Sequence, residues 1–389
     1  MKIGIITYVK CDNYGAELQA YALQWYLNKL GYNAEVINLE KREIDLKRSP
    51  RVIVRAILMR FKHQGFKAFS SIYRKSVDTF TKIRVQEKSK SQIEKKHILF
   101  ERFFEKYIRH SEKYYTLDEI SSSNDLDYDI YIAGSDQIWN FIHTDRLDVY
   151  FLMFANKYKA KKISYAASIS INDIPKRLRN KYGRYLKNID YLSVRELQGA
   201  ELIKRYWNLQ AEVVLDPTLL ITKEEWARDI ANSPKVDGDY LLIYTLSGSS
   251  NIRTLAKSIA QKKNLIIVNI KSNFVKEPDD GIIHFNEVGP QEWIGLWLNA
   301  KYVVTDSFHG TAFSINFNIP FTTLVNPVST MNSRVLSILK ITGLESRIAY
   351  DYQKVIDIPD NLSIDYDNVN HIIEDWRNKS TNYIIKSLS

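Results

Sequence analysis

Short apolar runs and helical periodicities alternate along most of this chain. Residues 2–8 are an apolar run of strand length. A polar loop from Lys10 to Asn13 follows. Leu18, Tyr21, Ala22 and Trp25 then recur at i, i+3, i+4 and i+7, the spacing of one helix face. Asp12 or Asn13 is suited to cap that helix, Gly31 to end it, and residues 34–39 read as the next strand. Strand, helix and strand in this order predict a βαβ unit and a parallel sheet. Further strands are predicted at residues 129–133, 162–168, 191–196 and 211–215. A fresh alternation begins after residue 222: Trp226 in a helix, strand 240–246, helix 252–262, strand 264–270, helix 290–299, strand 302–305, helix 311–317, strand 320–325 and a helix over 368–388.

Two such series predict an α/β chain with two parallel-sheet domains, residues 1–221 and 222–389, with both sets of strand ends on one cleft. A length of 389 residues suits that division. Residues 41–113 interrupt the rhythm and read as a basic helical insertion in the first domain. They hold 21 Lys/Arg and 8 Asp/Glu, a balance of +13 against +10 for the whole chain. Arg48, Arg51, Arg55 and Lys62 fall near one helical face. That fits either the solvated face of a packed helix or an interfacial helix on anionic lipid. No zinc spacing or other DNA-binding signature accompanies the charge, so nucleic acid is not the expected partner.

The single cysteine, Cys11, excludes an internal disulfide framework and suits a reducing compartment. The first residues read directly as a strand rather than as a secretory leader, and no apolar run approaches the roughly 18 residues of a membrane span. The expectation is a cytoplasmic protein, with peripheral contact at the inner face of the plasma membrane through residues 41–113. No His/Cys/Asp/Glu cluster has ligand spacing, and no GxGxxG follows the first strand. Neither a metal nor a nicotinamide cofactor is expected.

Candidate chemistry gathers where strands end. His309 lies between the strand 302–305 and its helix, near the first free N–H groups, a place that binds anions. Ligands of open α/β sheets collect at such carboxyl ends. An imidazole beside an anion cradle is a usable general acid; a capping or core histidine is the alternative. Gly134 to Asn140 carries Asp136, Gln137 and Asn140, which can grip hydroxyls, and Trp139, whose face packs on C–H surface; a cap with a core tryptophan is the alternative. Asn13, Tyr14, Gly15 and Glu17 occupy the first strand-to-helix turn, as ligand contacts or as ordinary turn chemistry. Arg195, at another strand end, can clamp a carboxylate or phosphate, or pair with Glu196 or another acid.

Three motifs, Asn13-Tyr14-Gly15-Ala16-Glu17-Leu18-Gln19-Ala20, Gly134-Ser135-Asp136-Gln137-Ile138-Trp139-Asn140 and Asp306-Ser307-Phe308-His309-Gly310-Thr311, together resemble the polysaccharide pyruvyl transferase family. Ser193-Val194-Arg195-Glu196 and Asp216-Pro217-Thr218 also resemble its pattern, and all occur in the family's order. The resemblance implies two Rossmann-like domains arranged as in glycosyltransferase-B enzymes. It also implies transfer of pyruvate from phosphoenolpyruvate, a co-substrate, onto two hydroxyls of one hexose. The product is a cyclic ketal on a cell-surface polysaccharide or its lipid-linked precursor.

By this resemblance His309 is the general acid and Asp136 a base. Arg195, Ser307, Gly310 and Thr311 face the donor, with phosphate on the helix start at Gly310-Thr311. Asn13, Tyr14, Gly15, Glu17, Gln137, Trp139 and Asn140 face the acceptor sugar or lipid-linked oligosaccharide. The chain departs from the family at Ser307, where members often carry an arginine that binds the donor. Either another cation such as Lys271 replaces it, or the donor or acceptor geometry differs. A nucleotide-sugar glycosyltransferase and a non-catalytic glycan-assembly scaffold are the competing readings.

Overall fold

The computed structural model describes residues 1–40, 90–270, 281–327, 329, 332–351 and 363–389. In chain order the elements used below are β1 (Lys2–Ile6), α1 (Tyr14–Lys29), β2 (Asn33–Val36), α2 (Lys90–Tyr107), β3 (Ile130–Ala133), β4 (Lys161–Ser164), α3 (Lys176–Leu186), β5 (Ser193–Val194), α4 (Leu197–Trp207), β6 (Glu212–Val213), α5 (Lys223–Asp229) and β7 (Tyr240–Tyr244). There follow α6 (Ser250–Lys263), β8 (Ile266–Ile270), β9 (Ile282–Phe285), α7 (Pro290–Asn299), β10 (Tyr302–Thr305), α8 (Phe308–Asn316), β11 (Phe321–Val325), α9 (Ser333–Thr342), β12 (Ile348–Tyr350) and α10 (Tyr366–Leu388).

The first sheet has the order β2-β1-β3-β4, parallel throughout. Bridges Ile163–Tyr191 and Ala167–Val194 carry it on to the parallel pair β5-β6. The second sheet has the order β12-β11-β10-β7-β8-β9, again all parallel. Its central strands are apolar and β-branched on both sides: every residue of β7, β10 and β11 is buried, as expected where helices cover both faces. Strand order reverses between β1 and β3 and between β7 and β10. Each reversal opens a crevice at the strand carboxyl ends. Asp136 follows β3 at one and His309 follows β10 at the other.

Of the two caps expected for the first helix, Asn13 is the one used: α1 begins at Tyr14, because the Asn13 side chain accepts the Ala16 N–H. The other start differs from the expectation. α8 begins at Phe308 rather than 311, because Ser307 is the cap and its hydroxyl accepts the Gly310 N–H. His309 is therefore inside the first turn of the helix. Strand β9 and helices α3, α4 and α9 are not among the expected elements, although α3 and α4 are amphipathic, and β12 has only three residues.

Of the basic segment, residues 41–89, with Arg48, Arg51, Arg55 and Lys62, lie outside the described residues. Its later part is α2, which belongs to the core: Phe100, Phe103 and Phe104 are buried, and Phe103 meets Tyr21 at 6.0 Å. Among the described residues no helix is long and apolar enough to cross a membrane.

The two domains share one aromatic core. Tyr14 of α1 stacks on Trp293 of α7 at 5.7 Å and meets Tyr244 edge-on at 5.8 Å. Its hydroxyl donates to the Val288 carbonyl at 2.8 Å. Trp293 stacks in turn on Trp297 at 3.9 Å. Each such pair adds about 0.5–1.5 kcal/mol beyond area burial, and the contact fastens the two domains to each other. α10 ties them again: Tyr366 donates to the Ile319 carbonyl of the second domain, while Tyr383 donates to Ser164 and Ser380 accepts from Leu215 N in the first.

Candidate active site

The loops after β3, β5, β6 and β10 bring Asp136, Arg195, Asp216 and His309 together. Arg195 and Asp216 form a buried ion pair, Nη1 to Oδ2, at 2.5 Å. Asp216 is held from every side. Its Oδ1 accepts the Thr218 N–H and hydroxyl at 3.0 and 2.7 Å, and its Oδ2 also accepts the Ser135 hydroxyl at 2.9 Å. His309 Nε2 lies 3.9 Å from that oxygen. Asp136 Oδ1 stands 3.6 Å from Arg195 Nη2. The Arg195 guanidinium lies 4.4 Å from the centre of the Phe308 ring.

Electrostatics sort these groups. Burial opposes the charge on Asp216, but the Arg195 guanidinium and the Thr218 hydrogen bonds outweigh it and hold its pKa at about 2. Burial and Arg195 compete in the same way at Asp136, whose pKa is also below the usual range. His309 goes the other way. Burial lowers its pKa to about 4, aided by the like charges of Arg195 and Arg334 and opposed by the two aspartates. The site at neutral pH thus holds two carboxylates, two guanidiniums and a neutral imidazole.

Several donors here are unsatisfied. Arg195 Nε and Nη2 and His309 Nε2 are buried without a hydrogen-bond partner among the described residues, as are the hydroxyls of Ser168 and Ser170 after β4. Unpaired buried donors are costly and uncommon. An anion placed among them would satisfy them. Lys10, Asp12, Asp136, Ala166 and Ser170 also adopt positive φ in the loops after β1, β3 and β4, the kind of strain that gathers at functional sites.

The other candidates divide by position. Gly15 lies against the His309 ring. Asn13 and Gln137 are half-buried at strand ends, Asn13 as the α1 cap and Gln137 with its Oε1 accepting from Asn140 and His143. Trp139 and Asn140 are fully buried in the first domain. Trp139 is stacked on Phe151 at 4.5 Å, with its indole N–H donating to the Tyr150 carbonyl. Asn140 Oδ1 is spent on the Ile142 N–H. Tyr14 belongs to the interdomain core. Glu17 is buried under the first loop, where burial raises its pKa to about 8 and its Oε1 accepts the Cys11 N–H.

At the helix start, the Gly310 N–H goes to the Ser307 hydroxyl and the Thr311 N–H to the Ser307 carbonyl. Thr311 Oγ1 is shared between that carbonyl and Thr323. The N–H groups of Phe308 and His309, rather than those of Gly310 and Thr311, have no acceptor within the helix. Gly310 is required because a Cβ there would fall 2.3 Å from Thr305 Oγ1. Lys271 lies outside the described residues.

Sequence reading missed two residues. Asp216 stood out as a strand closure and as part of the Asp216-Pro217-Thr218 motif, but not as a site residue. Arg334, in the first turn of α9, gave no signal at all. Its guanidinium lies 5.8 Å from the Phe308 ring centre. α9 reaches the site because Ser337 Oγ accepts the Leu197 N–H of α4. No group of three or more His, Cys, Asp or Glu among the described residues is arranged to hold a metal ion.

Solved structures similar to this one include the UDP-GlcNAc 2-epimerase from Methanocaldococcus jannaschii, at TM-score 0.53 and 13% identity over 96% of this chain and 92% of that one. Another is the E. coli heptosyltransferase WaaC with ADP, at TM-score 0.40 and 12% identity over 97% and 100%. The first likeness is one of fold, and the fold is the glycosyltransferase-B-like pairing of two Rossmann-like domains. No curated protein sequence matches the chain. The profile of the polysaccharide pyruvyl transferase family matches residues 13–327, most of the sequence, and the chain belongs to that family.

Proposed function

We propose that the protein moves pyruvate from phosphoenolpyruvate onto two hydroxyls of one hexose, in a cell-surface polysaccharide or its lipid-linked precursor. The products are a cyclic ketal and free phosphate. The observation that carries this reading is the set of unsatisfied buried donors, Arg195 Nε and Nη2 and His309 Nε2, around Asp216. The donor has a carboxylate and a phosphate, and such donors suit both.

His309 is neutral in the free protein because burial lowers its pKa to about 4. A multiply charged donor beside it favours the imidazolium, so donor and proton enter together. Nε2 then gives its proton to the donor methylene, and the adjacent carbon becomes oxocarbenium-like. The first sugar hydroxyl attacks that carbon and loses its proton to Asp136. The second hydroxyl closes the ring as the carbon–oxygen bond to phosphate breaks. Phosphate leaves with the second hydroxyl's proton, its charge held by Arg195. Two C–O bonds form and one breaks, and no redox partner is needed.

Phosphate release from phosphoenolpyruvate, over a panel of lipid-linked and aryl hexosides, tests the reading. Acceptor-dependent release that falls about 100-fold or more in His309→Asn supports it. Binding of nucleotide sugars but not of phosphoenolpyruvate overturns it in favour of glycosyl transfer.

A further inference from the structure

Ser307 occupies the position where the family often carries a donor-binding arginine, and its hydroxyl is occupied as the cap of α8. The cleft nevertheless holds a second guanidinium besides Arg195. Arg334 lies at the start of α9, within cation–π range of the same Phe308 ring that Arg195 approaches. Its Nε is buried with no hydrogen-bond partner. Among the described residues no carboxylate lies within ion-pair distance of it, although Asp136, Glu196 and Asp216 are near enough to act on its charge. Burial and the like charge of Arg195 lower its pKa to about 10, which leaves it protonated at neutral pH.

A structural arginine would be expected to close on a carboxylate. Instead two guanidiniums share one aromatic ring, and both have nitrogens left over. This arrangement is unfavourable in the free protein and favourable once an anion sits between them. We infer that Arg334 is a second anion ligand of the reaction site, contributed by α9 in place of an arginine at position 307. Arg195 and Arg334 then take the two anionic groups of the donor separately, which selects a donor bearing two such groups over one bearing a single group. The anion-ligand assignment rests on the geometry; the identity of the two groups rests on the pyruvyl-donor reading above.

The test is calorimetric titration of the full chain and its Arg334→Gln and Arg334→Lys variants with phosphoenolpyruvate, inorganic phosphate and pyruvate, with thermal unfolding alongside. In Arg334→Gln, phosphoenolpyruvate affinity falls about 10- to 100-fold. Affinity for only one of the two single-anion probes falls with it, since Arg195 still holds the other. Arg334→Lys keeps the charge and recovers part of the loss. The midpoint of unfolding stays level or rises without ligand, because a repulsive neighbour of Arg195 is gone.

Unchanged phosphoenolpyruvate binding in Arg334→Gln overturns the inference and leaves the pyruvyl reading intact. So does a loss of binding that appears together with a lowered unfolding midpoint in both variants, which is the mark of a structural arginine. If the wild type ignores phosphoenolpyruvate but binds phosphate, and Arg334→Gln weakens that, Arg334 stands as an anion ligand and the pyruvyl reading falls. No binding of any probe by the wild type overturns both.

Discussion

Gly15 lies flat against the imidazole of His309: a Cβ built on Gly15 would fall 2.0 Å from Nδ1. The glycine opens α1 of the first domain, and the histidine opens α8 of the second. Two helix starts from different domains thus meet at one ring, and the close approach requires the missing side chain. Gly15→Ala must move either the ring or the domain contact. Phosphate release is expected to fall about 100-fold, as a displacement of near 1 Å at a reacting group costs that much. A variant with wild-type turnover would show that His309 is not held in its working position by this contact.

His309 also sets a pH dependence. Its folded pKa of about 4 lies below the ordinary 6.5, so between those values the unfolded chain binds a proton that the folded protein does not. The stability this group contributes is full above pH 6.5 and is lost as pH falls towards 4, a change on the order of 3 kcal/mol. Asp216 adds a second loss at lower pH, between 3.8 and about 2. Denaturant titrations between pH 4 and 7 are expected to show a steep acid slope in the wild type and a shallower one in His309→Gln. Donor binding runs opposite to this, with proton uptake seen as a dependence of the calorimetric heat on the buffer's ionisation enthalpy.

Asp216 is the anchor of the ion cluster. It pairs with Arg195, caps Thr218 and accepts from Ser135. Asp216→Asn leaves Arg195 buried without its closest counter-charge, and a loss of about 3–5 kcal/mol of stability is expected. An unfolding midpoint within a degree of the wild type would mean that the pair is not closed in solution.

Trp139 separates a core role from a sugar-binding role. It stacks on Phe151 inside the first domain. Trp139→Phe should lower stability by about 1–3 kcal/mol through lost volume and the lost indole hydrogen bond. The acceptor KM, measured on the folded fraction, should not move. A raised KM with unchanged stability would restore the indole to the acceptor site.

The local code was strong enough to determine the α/β alternation, the parallel strands and the strand-end positions of Asp136, Arg195 and His309. Periodicity, capping and apolar runs are properties of neighbouring residues, and they read directly from the chain. Even the helix at His309 was misplaced by only three residues, through the cap that Ser307 provides. Which strand-end side chains meet was a different matter. Tyr14 read as a ligand contact because it sits at a strand-to-helix turn, and Trp139 because an indole face suits a sugar, yet packing put both inside cores. Asp216 showed only within an Asp-Pro-Thr motif that carried no stated role, Arg334 had no distinctive spacing, and the two entered the site because β6 lies beside β5 and α9 docks on α4. The burial and neutrality of His309 depend on what the other domain brings within a few ångströms, and the Arg195–Asp216 pair on β5 and β6 lying side by side. That distance is a property of the folded chain alone.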